Sequence, residues 1–205
     1  MATYDPKDFS HLTGTPGLGD ALLKQHFDLY AGHLNSVNAL ADELASTPVN
    51  GTPSSDWSEL KRRFGWEWNG MRLHELYFEN LTKFPHPPEK SSEMAKRLAA
   101  DFGSFPSWTK DFRATGSLRG TGWAALVWDG LSDRFHNIWI NENDTGHLVN
   151  CFVILLLDVF EHAYLMDYGA RRAGYIDAFM AAIDWSVAES RLLTAEASVQ
   201  APARS

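Results

Sequence analysis

The chain has 205 residues, of which 44% are hydrophobic and 21% charged, a composition typical of a globular protein with one large domain or two small ones. Its formal charge of −8, with no basic cluster longer than residues 61–63, argues against a nucleic-acid partner, because phosphate binding needs a concentrated basic face. The single cysteine, Cys151, excludes an intramolecular disulfide, and the longest apolar run, residues 151–157, is too short to cross a membrane. The first residues lack a signal-peptide pattern, so we expect a cytoplasmic protein.

The first half of the chain predicts two long helices. After a lead-in rich in glycine, a helix is expected from about residue 20 to 45, because apolar and aromatic side chains recur three and four positions apart. His26 and His33 lie on the inward face of this helix. A second helix is predicted from about residue 57 to 81, with His74 on its inward face.

Residues 84–88 contain three prolines and are predicted to separate two domains, because proline interrupts helices. On this division, residues 1–88 form an N-terminal antiparallel helical hairpin and residues 89–195 form a C-terminal α/β domain. Residues 196–205 are expected to be a disordered tail.

Beyond this boundary the hydrophobic period changes. After helices at about residues 91–102 and 106–113, three β-rich runs are separated by turn-forming residues, and a final helix is expected from about residue 175 to 193. The fold class is therefore α+β, with a three-stranded antiparallel sheet surrounded by helices. The predicted strands lie at residues 122–128, 134–141 and 151–157.

Three histidines and an aspartate in the predicted core indicate a metal site. His26 and His74 are on the two long helices, Asp158 ends the last strand, and His162 follows four residues later. Taken singly, each is explained as a hydrogen-bonded core residue or a cap. Burying them together is unfavourable unless a cation compensates them, and the set suits iron, manganese or zinc. Glu161 either orients a ligand imidazole or is a solvated carboxylate.

The end of the last predicted strand and the turn after it match a known family. The segment DVFEHAY at residues 158–164 resembles the D-V-W-E-H-A-Y signature of the iron/manganese superoxide dismutases and differs only by Phe160 for tryptophan. GTGW at residues 120–123 and FGSF at residues 102–105 are similar to further family motifs. The resemblance extends from about residue 17 to 190. It implies an oxidoreductase that converts superoxide to dioxygen and hydrogen peroxide.

Carried over residue by residue, the resemblance implies one iron or manganese ion per chain, with His26, His74, Asp158 and His162 as ligands and water or hydroxide as the fifth. Both metals use this ligand set. The resemblance also implies a homodimer in which Glu161 reaches His162 of the partner subunit.

The first helix departs from the family pattern, in which a gateway tyrosine follows the ligand histidine by eight positions. With one residue fewer, His26 is the ligand, His33 replaces the gateway tyrosine, and Tyr30 falls near the family's relay histidine. The alternative alignment places Tyr30 at the gateway position and Leu22 at the ligand position. We prefer the first alignment because it keeps four ligands. We expect His33 and Tyr30 to take part in proton delivery, the alternative for His33 being a packed, hydrogen-bonded neighbour.

The hydrogen bond to the solvent ligand is a second open assignment. Gly70 stands where some family members have a glutamine that makes this bond. Asn143 or His147, in the loop before the last strand, is expected to supply it instead. Arg172 matches the arginine that is usual near the substrate funnel.

Two other functions stay open at this point. Three substitutions replace bulky or polar family residues and would suit a repurposed oxidase or oxygenase that acts on a small organic substrate: Ala125, Phe160 and Leu165. The other alternative is a metal-free structural subunit, against which the retention of all four ligand types argues.

Overall fold

Helices and a small sheet make up the fold. The structure is a computed structural model and describes residues 3–49, 51–86 and 92–200. The α-helices are α1 (Asp20–Ser46), α2 (Ser55–Glu79), α3 (Glu93–Phe102), α4 (Phe105–Gly116), α5 (Leu165–Tyr168), α6 (Arg172–Ala181) and α7 (Trp185–Gln200). The strands are β1 (Gly122–Asp129), β2 (Arg134–Asn141) and β3 (Cys151–Asp158), and 3-10 turns lie at Ser10–Leu12 and Glu161–Ala163.

The two long helices, α1 and α2, pack against each other in opposite directions. His33 on α1 contacts Glu67 in the middle of α2, whereas His26, two turns earlier on α1, contacts Phe78 near the end of α2. Because lower numbers on one helix meet higher numbers on the other, the pair is antiparallel. The predicted helical hairpin is confirmed.

The three strands form one antiparallel sheet in the order β2-β1-β3, as predicted. The central strand, β1, is buried from Gly122 to Trp128, which accounts for its continuous apolar sequence. Its register with β3 pairs Trp123 with Asp158, and the backbone N–H of Val159 donates to the Gly122 carbonyl at 2.9 Å. The sheet therefore places Asp158, the last residue of β3, beside Trp123 at the start of the central strand.

A buried asparagine joins the end of α2 to the edge strand β3. Asn80 Oδ1 accepts a hydrogen bond from the Leu156 backbone N–H at 2.9 Å, and Asn80 Nδ2 donates to the Leu156 carbonyl at 3.2 Å and to the Tyr77 carbonyl at 2.7 Å. The side chain thus takes the place of a neighbouring strand. It holds the helix that carries His74 against the strand that ends in Asp158.

The prediction of one closing helix was wrong, because residues 182–184 separate α6 from α7. These residues bond to residues 80–82: Thr82 N donates to the carbonyl of residue 182 and Asp184 N to the carbonyl of residue 80, both at 2.9 Å. This long-range pairing interrupts the helix. Helix α7 then continues to Gln200, so residues 196–200 are helical rather than disordered, and residues 201–205 lie outside the described residues.

The domain division at residues 84–88 stays a prediction. Residues 84–86 have no regular secondary structure, and residues 87–91 are outside the described part of the chain. The hydrophobic core continues from the hairpin into the C-terminal part, where the ring of Tyr77 stacks on that of Phe179 at 5.9 Å between centroids. Among the described residues, no helix combines the length and apolar character that a membrane crossing requires.

Candidate metal centre

The four predicted ligands converge in the core between the helical hairpin and the sheet. His26 comes from α1, His74 from α2, Asp158 from the end of β3, and His162 from the 3-10 turn that follows. One potential ligand atom of each residue lies within 4.8 Å of those of the others. The first three side chains are buried, whereas 22% of the His162 side chain is exposed. The structure therefore brings together residues that are up to 136 positions apart in the sequence.

One oxygen of Asp158 is the common neighbour of the three imidazoles. Asp158 Oδ2 lies 3.1 Å from His26 Nε2, 3.1 Å from His162 Nε2 and 3.7 Å from His74 Nε2. The other oxygen, Oδ1, accepts a hydrogen bond from the Phe160 backbone N–H at 2.8 Å, which fixes the orientation of the carboxylate. Three imidazole nitrogens and one carboxylate oxygen, each a potential metal ligand, thus lie close to one another.

The hydrogen bonding of His74 shows that this donor set fits a metal ion. Its Nδ1 donates to the Gly70 carbonyl at 2.6 Å, so the proton is on Nδ1 and Nε2 has a free lone pair. Among the described residues, His74 Nε2 is the buried side-chain polar atom that has no hydrogen-bond partner. An unpaired buried acceptor is unfavourable, and a cation at this point would satisfy it.

Burial and mutual charge set the protonation states of the cluster. Burial lowers the pKa of His26 and lowers that of His74 well below its usual value, so both are in the neutral form that binds metals. Burial alone would raise the pKa of Asp158, but His162 and His26 outweigh it and hold the pKa below its usual value. For His162 burial is outweighed by the Asp158 carboxylate, which raises the imidazole pKa.

A cavity of about 390 Å³ connects the cluster with the surface and reaches His74 and His162. A small molecule can therefore approach the ligands from solvent. Side chains of both long helices and of the C-terminal part line the cavity, among them His33, Arg63, Trp66, Glu67, Asn143 and Phe160.

His33 lines this cavity. Its ring centroid is 5.1 Å from that of His74. Its Nδ1 lies 2.6 Å from Glu67 Oε2. The His33 ring also occupies the space beside Gly70, where a Cβ atom would lie 2.7 Å from the imidazole.

Of the two residues considered for the solvent hydrogen bond, the structure brings only Asn143 to the cavity. Asn143 is buried and its Oδ1 accepts a hydrogen bond from Trp123 Nε1 at 3.1 Å, which leaves the amide N–H groups for other partners. His147 is exposed, does not line the cavity, and has its Nε2 3.0 Å from the backbone oxygen of Asn143.

Tyr30 lies outside the cavity, contrary to the expected place in proton delivery. Its hydroxyl donates to Glu75 Oε1 at 3.0 Å and accepts from the Lys7 backbone N–H at 3.1 Å, so it faces the N-terminal segment. Burial raises the pKa of Tyr30 to about 12. The reason is geometric: one helical turn beyond His26 the side chain points toward the residues that precede α1.

The arginine that lines the cavity is Arg63 and not the expected Arg172. Arg172 donates to the carbonyls of Leu118 and Gly120 and does not line the cavity. Arg63, which does, was noted in the sequence only as part of a short basic cluster. Glu67 was missed as well, although it lies seven residues, or two turns, before His74 and so shares its helix face.

Of the three substitutions that suggested an enlarged pocket, one lines the cavity, namely Phe160. Ala125 is buried within β1, and Leu165 is 53% exposed on the outer surface. Only Phe160 can therefore affect the room for an organic substrate in this cavity.

The fold and these residues define a candidate metal-binding site: three imidazoles and one carboxylate come together in the core, and a cavity reaches two of the imidazoles. A family model described as the C-terminal domain of iron/manganese superoxide dismutases matches residues 90–191. The protein named superoxide dismutase (Mn) 1 of Haloferax volcanii is 33% identical over 198 residues, which cover 93% of this chain and 96% of that protein. Superoxide dismutase (Fe) of Cupriavidus metallidurans is 34% identical over 183 residues, 87% of this chain and 90% of that protein.

A third relative, superoxide dismutase (Mn) 1 of Halobacterium salinarum, is 33% identical over 190 residues, 90% of this chain and 92% of that protein. The chain belongs to the iron/manganese superoxide dismutase family. The resemblance recognised in the sequence is confirmed, and the relatives named for manganese and for iron have similar degrees of identity to this chain.

Proposed function

We propose that the chain is a superoxide dismutase with one iron or manganese ion per chain, held by His26, His74, Asp158 and His162. The observation that carries the proposal is the unpartnered Nε2 of His74 within a buried set of four ligand atoms. When bound, the ion supplies reversible one-electron chemistry, so that one superoxide is oxidised to dioxygen and a second, with two protons, is reduced to hydrogen peroxide.

The protein's own groups prepare this site. The Gly70 carbonyl keeps the His74 proton on Nδ1, and the backbone N–H of Phe160 fixes the Asp158 carboxylate. We propose that His33 and Asn143 hold hydrogen-bonded water and substrate in the cavity. Asn143 can donate through Nδ2 because its Oδ1 is engaged by Trp123.

The test is elemental analysis and a superoxide-consumption assay on one preparation, made with both iron and manganese available. We expect close to one ion per chain together with catalysed loss of superoxide. In the variants His74→Gln and Asp158→Asn the metal content should fall at least about 10-fold, since changing even an outer-shell partner of a ligand weakens metal affinity by about 10- to 100-fold. His147→Gln, outside the cavity, is the control and should keep its metal. Protein without iron or manganese would support the metal-free alternative, and zinc alone would contradict redox chemistry.

We also propose that two chains form a homodimer in which Glu161 of one subunit bonds to His162 of the partner subunit. Glu161 is exposed, and the partly exposed ring of His162 lies beside it. Two exposed apolar side chains, Leu165 and Met166, line the same surface depression. We propose a cytoplasmic location, which a single cysteine fits and which cell fractionation tests.

A further inference from the structure

A buried carboxylate on the cavity wall is not accounted for by the ligand set. Glu67 is 4% exposed, and each of its two oxygens has its own partner. Oε2 lies 2.6 Å from His33 Nδ1, and Oε1 forms an ion pair with Arg63 Nη2 at 2.5 Å. A buried glutamate is stable only when it is paired and hydrogen-bonded, and here one of the two partners is the gateway imidazole.

The contact with Glu67 determines which nitrogen of His33 is free. A carboxylate accepts hydrogen bonds, so the His33 Nδ1 carries the proton and donates it to Glu67. Nε2 is then the ring nitrogen left for a molecule in the cavity. The same carboxylate–imidazole pairing orients histidines in many metal sites and active sites.

The His33 ring is also confined by its neighbours. Its centroid is 5.3 Å from that of Trp66 and 5.1 Å from that of His74, and its edge fills the space beside Gly70. A flip of the ring would replace Nδ1 by carbon opposite the carboxylate and lose the hydrogen bond. Contacts and hydrogen bond therefore favour a single orientation.

Arg63 explains how an acidic side chain is tolerated at this place. Superoxide is an anion, and a bare carboxylate on the cavity wall would repel it. The guanidinium of Arg63 offsets the charge of Glu67 and lies over the Trp66 ring, 4.4 Å from its centroid.

We propose that Glu67 is a positioning residue of the dismutase: it holds the gateway His33 in one tautomer and one ring orientation, with Nε2 available to water and substrate in the cavity. The effect on turnover rests on the proposed function, whereas the effect on His33 rests on the geometry alone. The competing explanation is that Glu67 only stabilises the contact between α1 and α2.

The chain offers a matched control on the same helix. Glu75 is also 4% exposed and also pairs with an arginine, Arg72 Nη1 at 2.6 Å, and with a side chain of α1, the hydroxyl of Tyr30. It does not line the cavity. Glu67→Gln and Glu75→Gln therefore remove comparable buried carboxylates, but only the first removes the partner of His33.

The first measurement is nitrogen NMR of the histidine rings, on the full chain loaded with zinc, which is diamagnetic and accepts these ligands. The His33 signals are assigned by their loss in His33→Gln. We expect an Nδ1–H tautomer in the wild type and in Glu75→Gln, and a shift toward the Nε2–H tautomer in Glu67→Gln. Unchanged His33 signals in Glu67→Gln would overturn the proposal whether or not the protein is a dismutase.

The second measurement is a double-mutant cycle on the iron- or manganese-loaded enzyme. Glu67→Gln should lower kcat on the order of 10-fold with metal content unchanged, as expected for loss of an orienting carboxylate. Introduced into His33→Gln, it should cause no further loss, because its effect passes through His33. Independent losses that multiply would indicate a purely structural role and overturn the proposal.

Discussion

At the scale of single residues, the missing side chain at position 70 determines what the cavity can hold. An added Cβ would lie 2.7 Å from the His33 ring and 2.9 Å from Asn143 Nδ2, too close for either contact. We expect Gly70→Ala to lower the free energy of unfolding by roughly 1–3 kcal/mol, as overpacking does, and to reduce dismutase activity.

The control for this prediction is Gly65→Ala on the same helix, where nothing lies within 4 Å of the added atom. There the better helix propensity of alanine should stabilise the protein by up to about 1 kcal/mol. Urea denaturation and the superoxide assay measure both effects. Equal stabilisation by the two substitutions would show that Gly70 has room that the structure does not predict.

The lowered pKa values of His26 and His74 predict how the metal-free protein responds to pH. In the unfolded chain both residues take up protons near pH 6.5, whereas in the folded protein burial opposes this. Stability is therefore full above about pH 6.5 and falls as the pH drops below it. His162 has the opposite effect on stability: because its pKa is raised in the folded protein, its stabilising contribution is present at acid pH and is lost as the pH rises.

Below about pH 6.5 His162 is protonated in both the folded and the unfolded chain, so it no longer contributes to the difference. The unfolded chain then binds up to two more protons than the folded one, through His26 and His74, and the unfolding free energy should fall by roughly 2 kcal/mol per pH unit near pH 5.5. Urea unfolding between pH 7.5 and 5.5 measures this slope. In His26→Gln the slope should shrink, since one of the two protons is removed. An unfolding free energy that stays constant or rises toward acid pH would contradict the lowered pKa values of His26 and His74.

The residues of the site differ in how far the sequence predicts them. Asp158 and His162 lie in a local motif, and His26 and His74 follow from helix periodicity, so all four were accessible. The seven-residue spacing from His74 places Glu67 on the inward face of α2, but its importance depends on α1 bringing His33 against it. The spacing of residues within one helix does not show which of them will contact a given residue of another helix.

At the scale of the elements, periodicity predicts most helices and strands, and tertiary pairing accounts for the misses. The limits of β2 were predicted as observed, and those of α1 and β3 to within one residue. The break between α6 and α7 was missed, because it depends on hydrogen bonds between residues 182–184 and the distant residues 80–82. Backbone pairing of this kind overrides the local preference for helix.

The connection between α2 and β3 leads to a prediction for Asn80, whose side chain is fully buried. Asn80→Ala leaves the backbone N–H and carbonyl of Leu156 without their partners. We expect a loss of about 2–4 kcal/mol of unfolding free energy, the cost of unsatisfied buried groups. The variant should also bind metal more weakly, because β3 ends in Asp158.

Thermal or urea denaturation of the metal-free variant isolates the first effect, and elemental analysis measures the second. Asn35→Ala is the control, because Asn35 is exposed on α1. It should be neutral or slightly stabilising. An Asn80→Ala protein as stable as this control would mean that the Leu156 groups find other partners.

At the scale of the whole molecule, the proposed ligands come from both halves of the chain. His26 and His74 belong to the helical hairpin, whereas Asp158 and His162 belong to the part that contains the sheet. A bound ion therefore bridges parts that otherwise meet through the hydrophobic core. Binding energy at the centre becomes folding energy of the entire chain rather than of one element.

The surface beside this centre supports the proposed dimer. Leu165 and Met166 are 53% and 55% exposed, and they flank Glu161 and His162. In a dimer through this face, water leaves their apolar surface and Glu161 comes near the partner's His162. Leu165→Asp would put a charge into that interface, so it should convert a dimer of 23.0 kDa chains into monomers.

Analytical ultracentrifugation of the metal-loaded proteins measures this change in mass. Leu131→Asp is the matched control, because Leu131 is even more exposed, at 83%, but lies in the turn between β1 and β2. It should leave the dimer intact. A monomeric wild type, or equal dissociation by both substitutions, would place the contact elsewhere. Since Glu161 adjoins the ligand His162 in sequence, dissociation through this face should also weaken metal retention, which dissociation through a distant face would not do.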